Sequence, residues 1–152
     1  MSSFVCATNR RNFGINGTDL ETMMRVKCCA AIWEYPPETK TKVKYLVHMK
    51  RVHVGSLIFM FASGLGVIGV GRATGGPIGP ISPGAHSRLR GTDWSAAEWQ
   101  VPVEWLYWNV DTPCSIRGVN STFYELTDPT WTERRQTLFN FFTLNIDAVS
   151  AT

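Results

Sequence analysis

Positive charge is concentrated in one third of the chain, where it could bind phosphate. The sequence has 152 residues and a formal net charge of +3. Between Thr39 and Thr92 it contains no aspartate or glutamate, whereas eight lysines and arginines and all three histidines lie there. Such a stretch can be an ordinary solvated surface, and it can equally be the electrostatic footprint of a phosphate-binding protein. Charge alone leaves both interpretations open.

Aromatic side chains provide a second kind of chemistry, the stacking of flat rings. The chain has six tryptophans, eight phenylalanines and four tyrosines, more than a core of this size requires. Aromatic rings fill cores and also stack on planar ligands. We therefore expect some of them to face a ligand, whereas Trp105 and Trp131 are expected in the core. The two patterns together favour binding of a flat polyanion over catalysis.

No known catalytic pattern accompanies these residues. The sequence has no G-x-S-x-G, H-E-x-x-H or P-loop motif, which are patterns of hydrolases, zinc proteases and nucleotide-binding proteins. His48 and His53 are five residues apart across a helix end, so they do not share a helix face as paired metal ligands do. We expect no catalytic residue, no metal and no cofactor.

The four cysteines indicate a reducing compartment. Cys6, Cys28, Cys29 and Cys114 form no C-x-x-C pair, and the adjacent Cys28 and Cys29 are poorly placed to bond to each other. We expect reduced, mostly buried thiols in a cytoplasmic protein. The first four residues lack the basic and apolar regions of a signal peptide, which is consistent with that location.

The uncharged run from Val54 to Gly71 predicts a buried hairpin. Its length is marginal for a membrane span, but a turn at residues 63–66 divides it into two halves rich in β-branched or aromatic residues. Gly64 to Gly69 also match the dinucleotide fingerprint, which requires a following helix. The Gly- and Pro-rich segment 74–92 cannot form that helix. We interpret the match as accidental and segment 74–92 as a loop.

The elements that must position these residues form one domain, spanning 1–152 with a core of about 4–145. Around the hairpin, the pattern predicts strands at Phe4–Thr8, Cys29–Glu34, Val101–Val110 and Phe123–Leu126, and helices at Glu38–Met49 and from Thr130 to about Asn145. Strands and helices in this mixed order are typical of an α+β domain.

Periodicity predicts which side chains face the core. In the first helix these are Val43, Leu46 and Val47, and in the last helix Trp131, Leu138, Phe141 and Phe142. Along the strand Val101–Val110, strict alternation predicts Trp105 and Tyr107 on one face and Leu106 and Trp108 on the other.

The order of several motifs resembles the PUA-like superfamily, and within it the EVE domain and the related YTH domain. A basic helix end, His48 to Arg51, precedes the strand G-S-L-I-F-M-F-A-S-G. The return strand of the hairpin is G-V-I-G-V-G at Gly66–Gly71. The likeness runs from about Phe4 to Phe142. It implies a PUA-like pseudo-barrel of five or six mostly antiparallel strands, flanked by helices.

The resemblance also implies a site. Related readers extrude one nucleobase, often a methylated one, into an aromatic cage. Carried onto this chain, the base pocket comprises Trp33, Tyr35, Trp94, Trp99, Asn9, Asn12 and Ser63, and the phosphate-binding rim comprises Arg10, Arg11, Lys50, Arg51, Arg72, Arg88 and Arg90. The expected partner is nucleic acid with a modified base, DNA being favoured over RNA, without a membrane. A nuclease, fused or separate, would complete a restriction or defence system.

Two other functions remain open. ASCH-type relatives hydrolyse modified nucleosides, and Lys50 with Glu34 could act in such a reaction. Alternatively, the chain binds a protein or a small ligand, and the basic stretch is only solvated surface.

Overall fold

The structure is a computed structural model that describes residues 2–8, 23–24, 27–34, 40–81, 96–117, 119, 123–127 and 129–150. The elements, in chain order, are β1 (Ser3–Thr8), β2 (Cys28–Glu34), α1 (Lys40–Met49), β3 (Leu57–Ala62), β4 (Gly66–Ala73), β5 (Ile78–Ile81), β6 (Ala96–Trp108), β7 (Phe123–Glu125), a 3₁₀ turn (Pro129–Trp131) and α2 (Thr132–Ser150). The predicted hairpin is confirmed as β3 and β4, which pair antiparallel.

One curled, mixed sheet contains all seven of these strands. Their order is β2-β6-β4-β3-β1-β7, and β5 pairs with β6. β1 runs parallel to β3, with Ser3 opposite Leu57, and the other pairs are antiparallel. The long β6 pairs with β2 through its first half and with β4 through its second half. The α+β class is confirmed, with one strand more than the five or six expected.

Each face of the sheet carries its own core, because successive strand residues point to opposite faces. Phe4, Cys6 and Ile58 pack on the side covered by α1. Val5 and Phe59 pack on the side covered by α2. Strands covered on both faces are apolar throughout rather than alternating, which explains the unbroken apolar sequence of β3.

The largest differences from the prediction are one additional strand and two element boundaries. β5 lies inside segment 74–92, which was predicted as a loop, because Ile78 and Ile81 pair with β6. Pro80 is compatible with such an edge strand, where a missing N–H is tolerated. β6 begins at Ala96 rather than Val101, and α2 continues to Ser150 rather than ending near Asn145.

The helix faces follow the prediction in α2 and only in part in α1. Trp131, Leu138 and Phe142 are buried, and Phe141 is half-buried. In α1, however, Val47 is 45% exposed, so its predicted core position is wrong. Tyr45 and Met49 are four residues apart and therefore lie on the same helix face. Their larger side chains pack on the core, and Val47 lies outside that face.

A β-bulge overturns the predicted alternation in β6. Val70 pairs with Tyr107 and the next residue, Gly71, pairs with Trp105, so Leu106 is an extra residue on its strand. A bulge of this kind shifts the alternation by one position. Trp105 and Trp108 consequently both pack on the α1 side, whereas Tyr107 packs on the α2 side.

Candidate nucleic-acid interface

The bulge creates a pair of half-buried indoles at the end of β6. The ring centroids of Trp105 and Trp108 are 4.8 Å apart, with the planes at 64°. The indole nitrogen of Trp105 donates a hydrogen bond to the carbonyl of Met23 at 3.1 Å. This bond satisfies the polar edge of the ring and fixes its orientation. The pair is therefore a prepositioned aromatic surface that is only partly covered.

Two glycines of β4 lie beneath these indoles. A Cβ atom at Gly69 would lie 2.9 Å from Cε3 of Trp108, and one at Gly71 would lie 3.0 Å from Cε3 of Trp105. Real Cβ atoms essentially never come within 3.0 Å of another atom and seldom lie at 3.0–3.4 Å, so glycine at these two positions lets the rings lie against the strand. Gly69 is also the last glycine of the stretch that mimics a dinucleotide fingerprint, and its role here is close packing of β4 against β6.

Sequence reasoning missed other groups that pack on the same core as the indole pair or lie next to β6. Tyr45 of α1 and Leu65 of the β3–β4 turn are also partly buried against the same core. The exposed Lys27 has a carbonyl that accepts a hydrogen bond from the N–H of Val103 at 2.8 Å. That bond places Lys27 beside β6, two residues from Trp105. The available signal was a pair of glycines on one strand facing tryptophans on its neighbour.

The described basic residues of the predicted rim are all exposed, but their charges are not equivalent. Arg51 lies 3.7 Å from the carboxylate of Glu125. Arg72 stands opposite Glu104 in the antiparallel register, where side chains on the same face are close. Within the described part of the chain, no carboxylate forms an ion pair with Lys50. We infer that Lys50 retains the most unneutralised charge of the three.

Hydrogen bonds hold the turn between α1 and β3, which carries Lys50 and Arg51 of the rim. The N–H of His53 donates to the hydroxyl of Ser56 at 3.2 Å, and the N–H of Gly55 donates to the carbonyl of Ala73 at 2.8 Å. Gly55 has a φ of 91°, a value that glycine adopts without strain. The turn is therefore anchored to β4, which fixes the backbone positions of the exposed Lys50 and Arg51.

Much of the predicted base pocket falls outside the described residues. Asn9, Asn12, Tyr35 and Trp94 lie there, as do Arg10, Arg11, Arg88 and Arg90 of the predicted rim. The backbone of Trp33 is described, opposite Ala97 on β6, but its side chain is not, and the same holds for Glu34. The arrangement of these residues around a base stays a prediction.

Two predicted pocket residues can be placed. Ser63 is exposed in the β3–β4 turn. Thr8 ends β1 opposite Ala62, next to that turn. Trp99 is 6% exposed and packs in the α1-side core with Met49. Its ring therefore supports the core in this conformation and offers no open stacking face.

The cysteines are all buried, as predicted, and two of them meet. The thiol of Cys29 on β2 is hydrogen-bonded to that of Cys6 on β1, and this bond together with burial raises the pKa of Cys29 well above its usual range. Burial also raises the pKa of Cys114. Since the thiolate is the reactive form, these environments disfavour nucleophilic chemistry at both positions.

Within the described ranges there is no cluster of three or more histidine, cysteine or acidic side chains that could hold a metal ion. None of the helices described is long and apolar enough to cross a membrane. Lys50, the lysine considered for hydrolysis, is exposed just after α1.

Comparison with known proteins gives structural likenesses only. No protein-family model matches the chain, and no curated protein matches it. A crystal structure from Pseudomonas putida is similar with 15% identity and a TM-score of 0.42, covering 89% of this chain and 98% of that one. A protein from Pseudomonas syringae is 12% identical over 88% of this chain and 97% of its own, with a TM-score of 0.39. A protein from Rhodopseudomonas palustris is 11% identical over 66% and 61%, with a TM-score of 0.32. All three are structural-genomics targets.

Proposed function

We propose that this chain is a nucleic-acid-binding domain of the PUA-like, EVE type, which receives one extruded, modified base against aromatic side chains. The observation that carries the proposal is the Trp105–Trp108 pair, half-buried and seated on the glycines of β4. The curled sheet, in which β1 runs parallel to β3, is compatible with this family. DNA is favoured over RNA as the partner.

The energetics suit an extruded base. Taking a base out of a duplex costs a few kcal/mol, and less at a weakened pair. Stacking on an aromatic side chain returns about 1–3 kcal/mol per base. The Trp105 ring is already fixed by its hydrogen bond to Met23. Little of the stacking free energy is therefore lost in ordering this side chain. Stacking on such an indole surface can therefore offset the free-energy cost of extruding the base.

The exposed cations would supply the sequence-independent part of the affinity. Lys27 is exposed beside Val103 of β6, and Lys50 is exposed on the turn after α1. Each phosphate contact releases counterions and makes binding weaker at higher salt. Phosphate contacts position the strand, whereas the base site discriminates.

Discrimination between modified and ordinary bases would come from the predicted pocket. Trp33, Tyr35 and Trp94 are the proposed cage, and Asn9 and Asn12 the proposed readers of the base edge. Trp33 stands opposite Ala97, eight residues along β6 from Trp105, a separation of roughly 26 Å in an extended strand. The cage would therefore hold the modified base, while the indole pair stacks a different base of the same nucleic acid. A buried polar group that goes unpaired with the wrong base costs binding energy. Trp99, which is buried in the core, is not part of this cage. A nuclease, fused or separate, would act on the nucleic acid that this domain marks.

A binding screen tests the proposal. Single- and double-stranded oligonucleotides of one sequence are titrated, each with unmodified, methylated or hydroxymethylated bases. We expect saturable binding that is tighter for one modified form. Equal affinity for all forms at every salt concentration would contradict a base reader, and release of free nucleoside would favour the hydrolase instead.

Two variants of Trp108 test the aromatic surface. Trp108→Leu should lose about 1–3 kcal/mol of binding to the preferred oligonucleotide, because the stacking face is removed. Trp108→Phe is the matched control, since it keeps an aromatic face of smaller size and should lose less. Thermal melts of both variants separate lost stacking from lost folding. Equal losses in two folded variants would count against stacking at this position.

A further inference from the structure

A second charged site lies on the opposite side of the sheet from the indole pair. A shallow groove of about 460 Å³ opens where α2 begins. One wall is the segment Ser115 to Arg117, and the other is formed by Glu133, Arg134 and Thr137. Ile116 packs against the α2-side core. The groove therefore shares no lining residue with the proposed base site.

The guanidinium of Arg134 is held in place on its own side of the groove. It stacks over the ring of Trp131 at 3.9 Å, and its Nη1 donates to the carbonyl of Arg117 at 2.9 Å. Trp131 in turn packs against Tyr124, with ring centroids 5.0 Å apart. A planar guanidinium fixed in this way loses little freedom on binding an anion.

Arg117 adds a second guanidinium from the facing wall. Its side chain is exposed, and no carboxylate in the described residues forms an ion pair with it. Its carbonyl accepts the hydrogen bond from the Arg134 guanidinium. The backbone of Arg117 and the side chain of Arg134 are therefore held next to each other. Arginine pairs are well suited to phosphate, which accepts two parallel N–H bonds from one guanidinium.

The start of α2 reinforces the same sign of charge. This helix has 19 residues, and the partial positive charge of a helix N-terminus favours an anion there. Among the described residues of the groove, Glu133 has the one carboxylate. Two guanidiniums accompany it there, so this part of the groove is suited to a small anion.

We propose that this groove binds a single phosphate group between Arg117 and Arg134. The phosphate can belong to a free phosphomonoester or to a phosphodiester of a nucleic-acid backbone. The proposal does not depend on a base being read at the indole pair, because the two sites lie on different faces of the sheet.

The test is a titration followed by amide NMR shifts at constant ionic strength. Inorganic phosphate, a nucleoside 5′-monophosphate and a dinucleotide phosphodiester are added separately, with chloride as the reference salt. We expect saturable shifts at residues 115–117 and 133–137. Saturation by monoesters alone assigns the groove to free phosphorylated molecules, and saturation by the dinucleotide as well extends it to nucleic-acid backbones; either supports the proposal.

Three single substitutions sharpen the result. Arg117→Gln should lower phosphate affinity about tenfold by removing a charged bidentate donor, while its carbonyl still holds Arg134. Glu133→Gln should raise the affinity, because it removes the opposing charge. Lys44→Gln, which changes the net charge equally on an exposed position of α1, should leave it unchanged. The proposal is overturned if no saturable shift occurs, or if Arg117→Gln and Lys44→Gln weaken phosphate binding equally in folded protein.

Discussion

The imidazole of His48 accepts a hydrogen bond at Nδ1 from the backbone N–H of Glu125, at 2.8 Å. β7 uses its other edge to pair with β1, as shown by the bond from the N–H of Leu126 to the carbonyl of Ser3. The N–H of Glu125 therefore points away from the sheet, where an edge strand would leave a donor unpaired. α1 closes that edge with a histidine, which can accept only while Nδ1 is unprotonated.

This bond predicts a pH-dependent stability. Burial lowers the pKa of His48, and the charges of Arg51 and Lys44 lower it further, while Glu125 acts in the opposite direction. The unfolded chain then binds more protons below about pH 6.5. The histidine's contribution to the free energy of unfolding should be complete above about pH 6.5 and should be lost as the pH falls through the lower folded pKa. Urea unfolding at a series of pH values measures it.

Two variants isolate this contribution from that of the carboxylates. His48→Asn keeps an acceptor without titrating, so its stability should depend less on pH than that of the wild type. His48→Leu leaves the N–H of Glu125 unpaired and should be less stable by about 1 kcal/mol at neutral pH. Identical pH profiles for the wild type and His48→Asn would mean that His48 does not couple protons to folding.

The glycines under the indoles predict a steric effect. A methyl group at Gly71 would overlap a methyl group of Val103 and lie 2.6 Å from the carbonyl of Glu104. Gly71→Ala should therefore destabilise the protein by about 1–3 kcal/mol, the usual cost of overpacking, and should shift the tryptophan fluorescence. Gly76→Ala is the control, because among the described residues its Cβ would meet only the carbonyl of Val52, at 3.9 Å. Similar melting temperatures for the two variants would show that Val103 and the backbone of Glu104 can move aside at little cost.

Salt dependence tests the basic rim. Replacing Lys50, Arg51 and Arg72 together with alanine should weaken binding to every sequence. It should also reduce the slope of log affinity against log salt by about 0.9 for each phosphate that the variant no longer neutralises. Among the single variants, Lys50→Ala should have the largest effect, since Arg51 and Arg72 each have a glutamate nearby. A slope that is unchanged in the triple variant would show that these residues bind no phosphate.

The buried thiols should be dispensable for binding. A variant with all four cysteines changed to serine or alanine should bind as well per folded molecule, although it should be less stable because Cys6 and Cys29 lie in the core. In the native protein, Cys29 and Cys114 should react slowly with alkylating reagents, since their pKa values are raised. Stoichiometric zinc in the wild type that is absent from the variant would assign the cysteines a ligand role.

The sequence predicts the elements of this fold better than their contacts. The uncharged run and its glycine turn locate β3 and β4, because the strands of a buried hairpin contain no charged residue. The bulge at Leu106 has no such signal, since it depends on how β6 pairs with β4. The indole pair was missed for that reason: one extra residue brings Trp108 to the face of Trp105. The pairing of β5 depends equally on a partner strand that is distant in sequence.

Trp33 provides the sharpest test of the proposed cage. Its backbone lies in β2 opposite Ala97, one residue before the strand ends at Glu34. Pro36 and Pro37 follow in the sequence, and prolines rarely continue a sheet. Loops at strand ends are where binding residues concentrate. Trp33→Ala should therefore lower binding of the preferred modified oligonucleotide by about 1–3 kcal/mol, as measured by titration.

The loss should depend on the ligand, because a cage and a phosphate contact have different consequences. Unmodified duplex bound through phosphates alone does not use the cage, so Trp33→Ala should leave its affinity nearly unchanged. Equal losses on both ligands would place Trp33 outside base recognition. If Trp33→Ala instead lowered the free energy of unfolding by about 3–5 kcal/mol, the usual cost of truncating a buried tryptophan, the ring would be part of the core. Trp33→Phe resolves these outcomes, since a stacking site should retain part of its preference for the modified base with a smaller ring.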